Sequence, residues 1–497
     1  MRKNRMVRNA GAAAFQVVLS SLLMFVLYRY LVRTIGVEQL GIWSVVLATT
    51  AASRITELGL TGGVVRFVAK YLAQSDEQRA SQVVQTAVMS VGPFVGVLLI
   101  AAYVPSLWVL GHVLPGSAMG LAGKILPYAL ASLWITTLNG VFQSALDGCQ
   151  RTDLRALFGV INSVLTLLMA IMLVPKFGLP GLAYCQLGLA VAFLVANWVC
   201  LKFELKCLPA IPFHWHRPLF KEMIHYGANF QLISFITISF DPVTKSLLSR
   251  YGDLSMVGFY EMASRMTTQF RALLAAPSQV LIPVVAGLQE TEPRTILRVY
   301  QQSYRLQLFL SLPLHAGLIA LLPEISRLLI GSYQPAFVLY SLLLAFGWFI
   351  NGITNPAYFT YMGTGKLKWN TVSSIVVGSL NVLLGVILGR QFGGGGVVTG
   401  WITALAVGSS LVIVAFHFEH HIAFGEMLPR EDAGLLIACA IGVAAAWFAH
   451  FEMPIDSAVF VTSTVGVLVF LVAIVIPGWR HPMRDRLIGM IAGRRFV

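Results

Sequence analysis

Apolar residues in this chain come in blocks of about twenty, separated by short stretches that carry most of the charge and proline. At a rise of about 1.5 Å per residue, about twenty residues cross the ~30 Å hydrocarbon core of a bilayer as one helix. Fourteen blocks reach that length, over residues 12–33, 41–58, 82–107, 122–144, 157–175, 180–201, 224–247, 256–277, 303–323, 336–359, 368–389, 396–416, 432–450 and 457–477. The pattern predicts an all-α polytopic membrane protein with about 14 transmembrane helices. Arg2, Lys3, Arg5 and Arg8 lead into the first block and no small-residue cleavage site follows it, so it reads as a retained span. The blocks 224–247 and 256–277 stand apart because they contain charge.

The distribution of bases orients the spans. With the N-terminus in the cytoplasm, 24 of the 35 Lys and Arg fall in segments expected inside, 5 in segments expected outside, and the other 6 within spans. Cytoplasmic loops of membrane proteins carry such an excess, so both termini are expected in the cytoplasm. Composition agrees: the chain is 57% hydrophobic and 11% charged, with a mean hydropathy of +0.77. Soluble domains are about one quarter charged, which excludes a water-soluble fold. The net charge of +14 then belongs to basic loops rather than to a nucleic-acid surface.

The chain divides at its longer inside connections. Residues 1–210 are expected to form an N-terminal six-helix bundle with an amphipathic interfacial segment near 62–81. A second bundle is expected over 211–389, after a connector at 202–222, followed by the last three spans and a basic cytoplasmic tail over 390–497. In the interfacial segment Arg66 and Lys70 share one face and Val64, Val65, Val68 and Leu72 the other. The tail, with Arg480, Arg484, Arg486, Arg494 and Arg495, suits anionic membrane lipids. An internal echo supports two related halves: Arg33, Gly41, Trp43 and Arg54 stand 217 positions before Arg250, Gly258, Tyr260 and Arg271. Paired halves are common in transporters, with substrate at the repeat interface, so two pseudo-symmetric bundles around a central cavity are expected.

Ionisable groups in or beside spans are the candidate functional residues, because charge in hydrocarbon is costly and is kept where it is paired or lines a polar path. They are Arg29, Arg54, Glu57, Lys124, Asp147, Asp241, Lys245, Glu261, Arg265 and Arg271, with a surplus of bases that favours an anionic cargo. Asp241 and Lys245 are four apart, as are Glu261 and Arg265, so each acid can meet its base on one helix face. Counted from the start of its block, Arg265 lies near the midplane, at roughly 14 Å, while Arg54 and Arg271 lie deeper, at about 20 and 23 Å. Arg29, Arg54, Arg265 and Arg271, with the amide of Asn355, are the substrate-binding candidates. Glu57, Asp241, Lys245 and Glu261 are the gating or coupling candidates, and for all of them a structural pair is the competing reading.

Enzymatic chemistry has little support. Gly393–Gly396 lacks the Lys-Ser/Thr that completes a phosphate loop, and the five cysteines form no CxxC cluster. His417, Glu419, His420 and His421 could hold a metal, but at a basic helix end they read as a lipid-facing cluster. No cofactor, catalytic residue or metal site is expected.

The run Arg33-x2-Gly36-x4-Gly41-Ile42-Trp43, followed by Glu57-Leu58-Gly59-x6-Arg66, resembles the opening of the polysaccharide and lipid-linked oligosaccharide flippases of the multidrug/oligosaccharidyl-lipid/polysaccharide exporter superfamily. Asp241, Gly258-Phe259-Tyr260 with Ala263 and Arg265, then Asn355 and Met362-Gly363-x-Gly365-Lys366, are similar to the later pattern, with Glu57 where many relatives have Asp. The resemblance covers almost the whole chain. It implies flipping of a polyprenyl-diphosphate-linked glycan from the cytoplasmic to the external leaflet of the plasma membrane, the inner membrane in a Gram-negative cell. It also implies glycan polymerase or assembly partners and a coupling cation. A cation-coupled drug or small-metabolite antiporter of the same superfamily is the alternative.

Overall fold

The computed structural model describes residues 2–51, 57–211, 214–279, 281–423, 425, 428, 430–452 and 459–491. Their regular structure is all helix, with no strand among the described residues. In chain order the helices are α1 (Arg2–Ala51), α2 (Glu57–Ala73), α3 (Glu77–Val113), α4 (Gly116–Gly148), α5 (Thr152–Phe177), α6 (Leu179–Glu204), α7 (Arg217–Ile238), α8 (Phe240–Tyr251) and α9 (Leu254–Gln279). They continue with α10 (Leu281–Thr291), α11 (Thr295–Ala320), α12 (Leu322–Ile330), α13 (Pro335–Thr364), α14 (Lys368–Glu419), α15 (Arg430–Glu452), α16 (Val459–Arg480) and α17 (Pro482–Ile491). The chain forms two compact units, Met1–Gly258 and Phe259–Val497.

Hydrocarbon offers backbone N–H and C=O groups no partner, so an apolar run this long is stable only if it closes its own ladder as helix. Eight described helices are long and apolar enough to span a membrane, and nine if α11 and α12, bent by 53°, count as one. The protein is therefore an all-α polytopic membrane protein. Two expected pairs of blocks lie in single long helices. Block 12–33 and the part of block 41–58 up to Ala51 meet in α1, which leaves helical geometry at Gly36 (φ 83°, ψ 165°). Blocks 368–389 and 396–416 meet in α14, which does so at Gly393 (φ 62°, ψ −146°).

The second break is a fold-back. A straight 52-residue helix would run roughly 78 Å, more than twice a hydrocarbon core. Instead Ser373 Oγ donates to the Gly408 carbonyl at 2.7 Å and Trp369 Nε1 to Glu419 Oε1 at 2.7 Å, so the segments before and after Gly393 run antiparallel. Gly178, with φ 62° and ψ −139°, makes the same turn between α5 and α6, where the Phe177 and Tyr184 rings lie 5.6 Å apart. A side chain at either glycine would meet its own backbone in this left-handed region.

Other contacts recur at nearly the same sequence offset. In the first unit a Cβ on Gly148 would lie 2.8 Å from Val68 and 3.0 Å from the Val65 carbonyl. In the second, a Cβ on Gly363 would lie 2.8 Å from Val285 and 2.9 Å from the Ile282 carbonyl. Gly41 and Gly258, matched in the sequence echo, are reciprocal: Gly41 faces the Leu254 carbonyl and Gly258 the Val37 carbonyl, all within the first unit. The apolar stripe of α2, Val64, Phe67, Val68 and Tyr71, is buried there while Arg66 and Lys70 stay exposed. The second unit has a core of Tyr300, Tyr304, Leu308 and Leu312 from α11 with Tyr361, Phe416, Leu435 and Cys439.

These close approaches leave no room for a branched side chain. Gly148→Val and Gly363→Val are each expected to destabilise the protein by roughly 1–3 kcal/mol, the usual range for overpacking. Gly287→Ala, with nothing within 4 Å of its added Cβ, should not lower the melting temperature in detergent. Equal melting of all three variants would contradict the packing described.

Candidate transport site

Both expected i,i+4 ion pairs are formed, with opposite exposure. In α8 of the first unit Lys245 Nζ lies 2.6 Å from Asp241 Oδ2, with the lysine side chain 5% exposed and the aspartate 49%. In α9 Arg265 Nε donates to Glu261 Oε1 at 2.7 Å, with the glutamate 3% exposed and the arginine 48%. Each pair neutralises the group that is buried and leaves its partner half in the open, negative in one case and positive in the other. The helical break at Ser239, between α7 and α8, puts Asp241 in the first turn of α8, where a carboxylate also meets the positive helix end.

The second unit adds a cation on an aromatic platform. The Arg271 guanidinium carbon stands 4.3 Å from the centre of the Trp348 ring, a contact worth about 0.5–1 kcal/mol at exposed sites and about 2 when desolvated. Trp348 opens a polar ladder along α13, followed by Asn351 and Asn355. Asn351 Nδ2 donates to Ser409 Oγ at 2.9 Å. Trp348 Nε1 and Asn351 Oδ1 are buried and make no hydrogen bond among the described residues. Buried polar atoms of native proteins are nearly always bonded, so two such atoms one turn apart mark this part of α13 for a polar partner. Asn355 is only 8% exposed.

Alongside runs a polar seam on α11. Ser278 Oγ donates to Gln307 Oε1 at 3.1 Å, Gln307 Nε2 to Ser311 Oγ at 3.3 Å, and His315 Nδ1 to the Ser311 carbonyl at 2.9 Å. Gly352 lies against it, its Cβ position 3.7 Å from Gln307 Nε2. Sequence reasoning missed this seam, although Gln307, Ser311 and His315 repeat at a spacing of four within an apolar run, the signal that found the ion pairs. It also missed Trp348, and two buried acid–histidine pairs that tie α15 at both ends. Glu324 of α12 meets His450 Nδ1 at 2.5 Å, and Asp432 meets Nε2 of His481, between α16 and α17, at 3.1 Å.

Arg29 is half-buried on α1 and closes no ion pair among the described residues. Arg54 lies outside the described residues, and of Glu57 only the backbone, at the start of α2, lies within them. Among the described residues no three His, Cys, Asp or Glu converge as metal ligands. Glu419 accepts from Tyr361 Oη and Trp369 Nε1, and His417 Nε2 meets Tyr300 Oη at 2.7 Å.

Comparison with solved structures defines the class of fold. The lipid II flippase MurJ in an inward-closed conformation aligns with a TM-score of 0.72 at 16% identity, over 97% of this chain and 100% of that one. An inward-facing multidrug resistance transporter of the MATE family, in the MOP superfamily, gives 0.68 at 16% identity, over 82% and 94%. A MOP superfamily transporter from Pyrococcus furiosus, described as having a binding pocket of reversed polarity, gives 0.61 at 14% identity, over 83% and 95%. The fold is thus that of the MOP transporters. Residues 6–289 match the family described as polysaccharide biosynthesis protein, and the chain belongs to that family. No protein of curated function matches the chain.

Removing an imidazole from a buried carboxylate is costly. His450→Ala is expected to lower stability by roughly 3 kcal/mol, whereas the exposed His421→Ala should leave it unchanged. Thermal unfolding of the purified variants distinguishes them, and an unchanged melting temperature for His450→Ala would remove Glu324–His450 from the structural framework.

Proposed function

We propose that this protein flips a polyprenyl-diphosphate-linked oligosaccharide from the cytoplasmic to the external leaflet of the plasma membrane by alternating access. The observation that carries the reading is the pair of cations on α9, Arg265 and Arg271, both exposed within a chain of the polysaccharide biosynthesis family. A diphosphate needs cationic partners, and a guanidinium can direct two donors onto it. Arg265 donates its Nε to Glu261, and Arg271 is held by its face on Trp348, which leaves the N–H edge of Arg271 for an anion. No covalent bond has to break. A polar path that opens to one leaflet and then the other lowers the barrier to carrying sugars past hydrocarbon.

In this reading Arg29, Arg54, Arg265, Arg271 and Asn355 contact the diphosphate and its sugars, while Glu57, Asp241, Lys245 and Glu261 gate the path or couple it to a cation. The fold is taken as about fourteen spans in two pseudo-symmetric bundles around a central cavity. The division follows the connector 202–222, both termini are cytoplasmic, and the tail rests on anionic lipid. Recurrence of the Gly178 turn at Gly393, and of the Gly148 contact at Gly363, supports two related halves. Glycan polymerase or assembly proteins are the partners that such a product requires. The half-exposed carboxylate of Asp241 is the feature that favours the alternative, a cation-coupled drug or small-metabolite antiporter.

In proteoliposomes with a leaflet-resolved assay of lipid-linked glycan, Arg265→Ala is expected to cut flipping at least about tenfold, the loss of one charge-assisted contact to the diphosphate. Its abundance in the membrane should be unchanged, and Arg484→Ala should behave as wild type. Equal loss of abundance and transport in Arg265→Ala would assign the residue to folding. Wild-type protein that moves no glycan would overturn the proposal.

A further inference from the structure

Away from these residues, the second unit holds a cavity of about 490 Å³ where α10 meets α11 and α13 meets α14. Leu297 and Phe416 give it an apolar wall, Thr364 a hydroxyl, and Arg294, Lys366 and His420 a basic rim. Its size is that of a small-molecule site. The local fold presents the bases. Gly365, left-handed at φ 73°, ends α13 and lets the Lys366 N–H donate back to the Tyr361 carbonyl at 3.0 Å, which turns the lysine across the helix end. His420 Nδ1 donates to the Phe416 carbonyl at 2.9 Å with its ring stacked 4.2 Å from that of Phe416, so Nε2 remains the ring nitrogen for a ligand. Arg294 and Lys366 close no ion pair among the described residues.

The first unit contains the same corner, built from the same turn. Gln150 is left-handed at φ 60°, and the Arg151 N–H donates to the Leu146 carbonyl at 3.0 Å. Arg151, Asp153 and Glu204 stand 215 positions before Lys366, Lys368 and Glu419, and Glu77 stands 217 before Arg294. At these four matched positions the first corner therefore carries three acids and one base, and the second three bases and one acid. Arg151 is closed by Glu204 and by Asp153. Burial, with Glu204 and Glu77 adding to it, pushes the Cys149 thiol up to about 11. In the second corner Glu419 accepts from Tyr361 and Trp369 with His420 and Lys366 within Coulombic reach, and Glu292 on the α10–α11 link accepts from Thr295. One corner is self-neutralised. The other has inverted charge and a cavity.

We propose that this second corner is a binding site for the phosphate of an anionic lipid headgroup, with the apolar wall receiving the adjoining hydrocarbon. Its lining shares no residue with the candidate transport site, and the assignment does not depend on which leaflet it faces.

Native mass spectrometry of the full-length protein in detergent, titrated with phosphatidylglycerol, phosphatidylcholine or inorganic phosphate, tests it. Wild type should bind phosphatidylglycerol about thirtyfold more tightly than phosphatidylcholine, the effect of two bases at an anionic headgroup. The double variant Arg294→Gln/Lys366→Gln should lose that preference. Arg294→Lys/Lys366→Arg should keep it, which separates charge from folding, and so should Arg480→Gln/Arg484→Gln, which removes the same charge from the tail. An undiminished preference in Arg294→Gln/Lys366→Gln would overturn the site. Inorganic phosphate binding as tightly as the lipid would overturn its assignment to a headgroup.

Discussion

The cost of charge in hydrocarbon governs where this chain places its ionisable side chains. An arginine or lysine at the centre of a bilayer costs about 3 kcal/mol even on the most lenient scale, so each needs a partner or a polar surface. The described residues supply partners of three kinds. Lys245 and Glu261 are buried against half-exposed counterions one helical turn away. Arg271 lies on the face of Trp348. Glu324 and Asp432 are buried against histidines outside their own helices. The first two arrangements leave charge accessible and the third does not, which separates groups suited to meeting a ligand from those that hold α15 in place.

Closing every backbone group internally shapes the rest. A chain that must stay helical in lipid can reverse only where few side chains intervene, and Gly178 and Gly393 provide two turns of the same geometry. Close helix contacts recur at matching positions, Gly148 on Val68 and Gly363 on Val285. Without a hydrophobic force between helices in lipid, such small-residue contacts do much of the packing. The repeated framework holds while its polar decoration diverges. The Arg151–Glu204 corner closes on itself, whereas its counterpart at Lys366 carries Arg294 and Lys368 in place of Glu77 and Asp153.

What could be read without a structure follows the range of the interactions. Glu261 with Arg265 and Asp241 with Lys245 were legible because a helix turns a spacing of four into a contact. The membrane class was legible because span length is set by the bilayer. Trp348 beneath Arg271 was not, since that contact joins α9 to α13. Nor was His450 with Glu324, 126 residues apart. Blocks 368–389 and 396–416 were separated correctly around Gly393, but only the antiparallel bonds Ser373–Gly408 and Trp369–Glu419 make the turn visible. The 256–277 block, set apart by its charge, contributes to α9, which is not among the helices apolar enough to span by composition.

The central claim is that Arg265 and Arg271 of α9 are reached by water and meet a diphosphate. Arg265→Cys and Arg271→Cys, placed in a cysteine-free background and treated with a charged, water-soluble thiol reagent, test it most directly. The account predicts modification at both positions and protection by polyprenyl-diphosphate-linked glycan, with no protection by the same glycan lacking its diphosphate. Thiols that stay unmodified, or that react equally with and without the lipid-linked glycan, would contradict it.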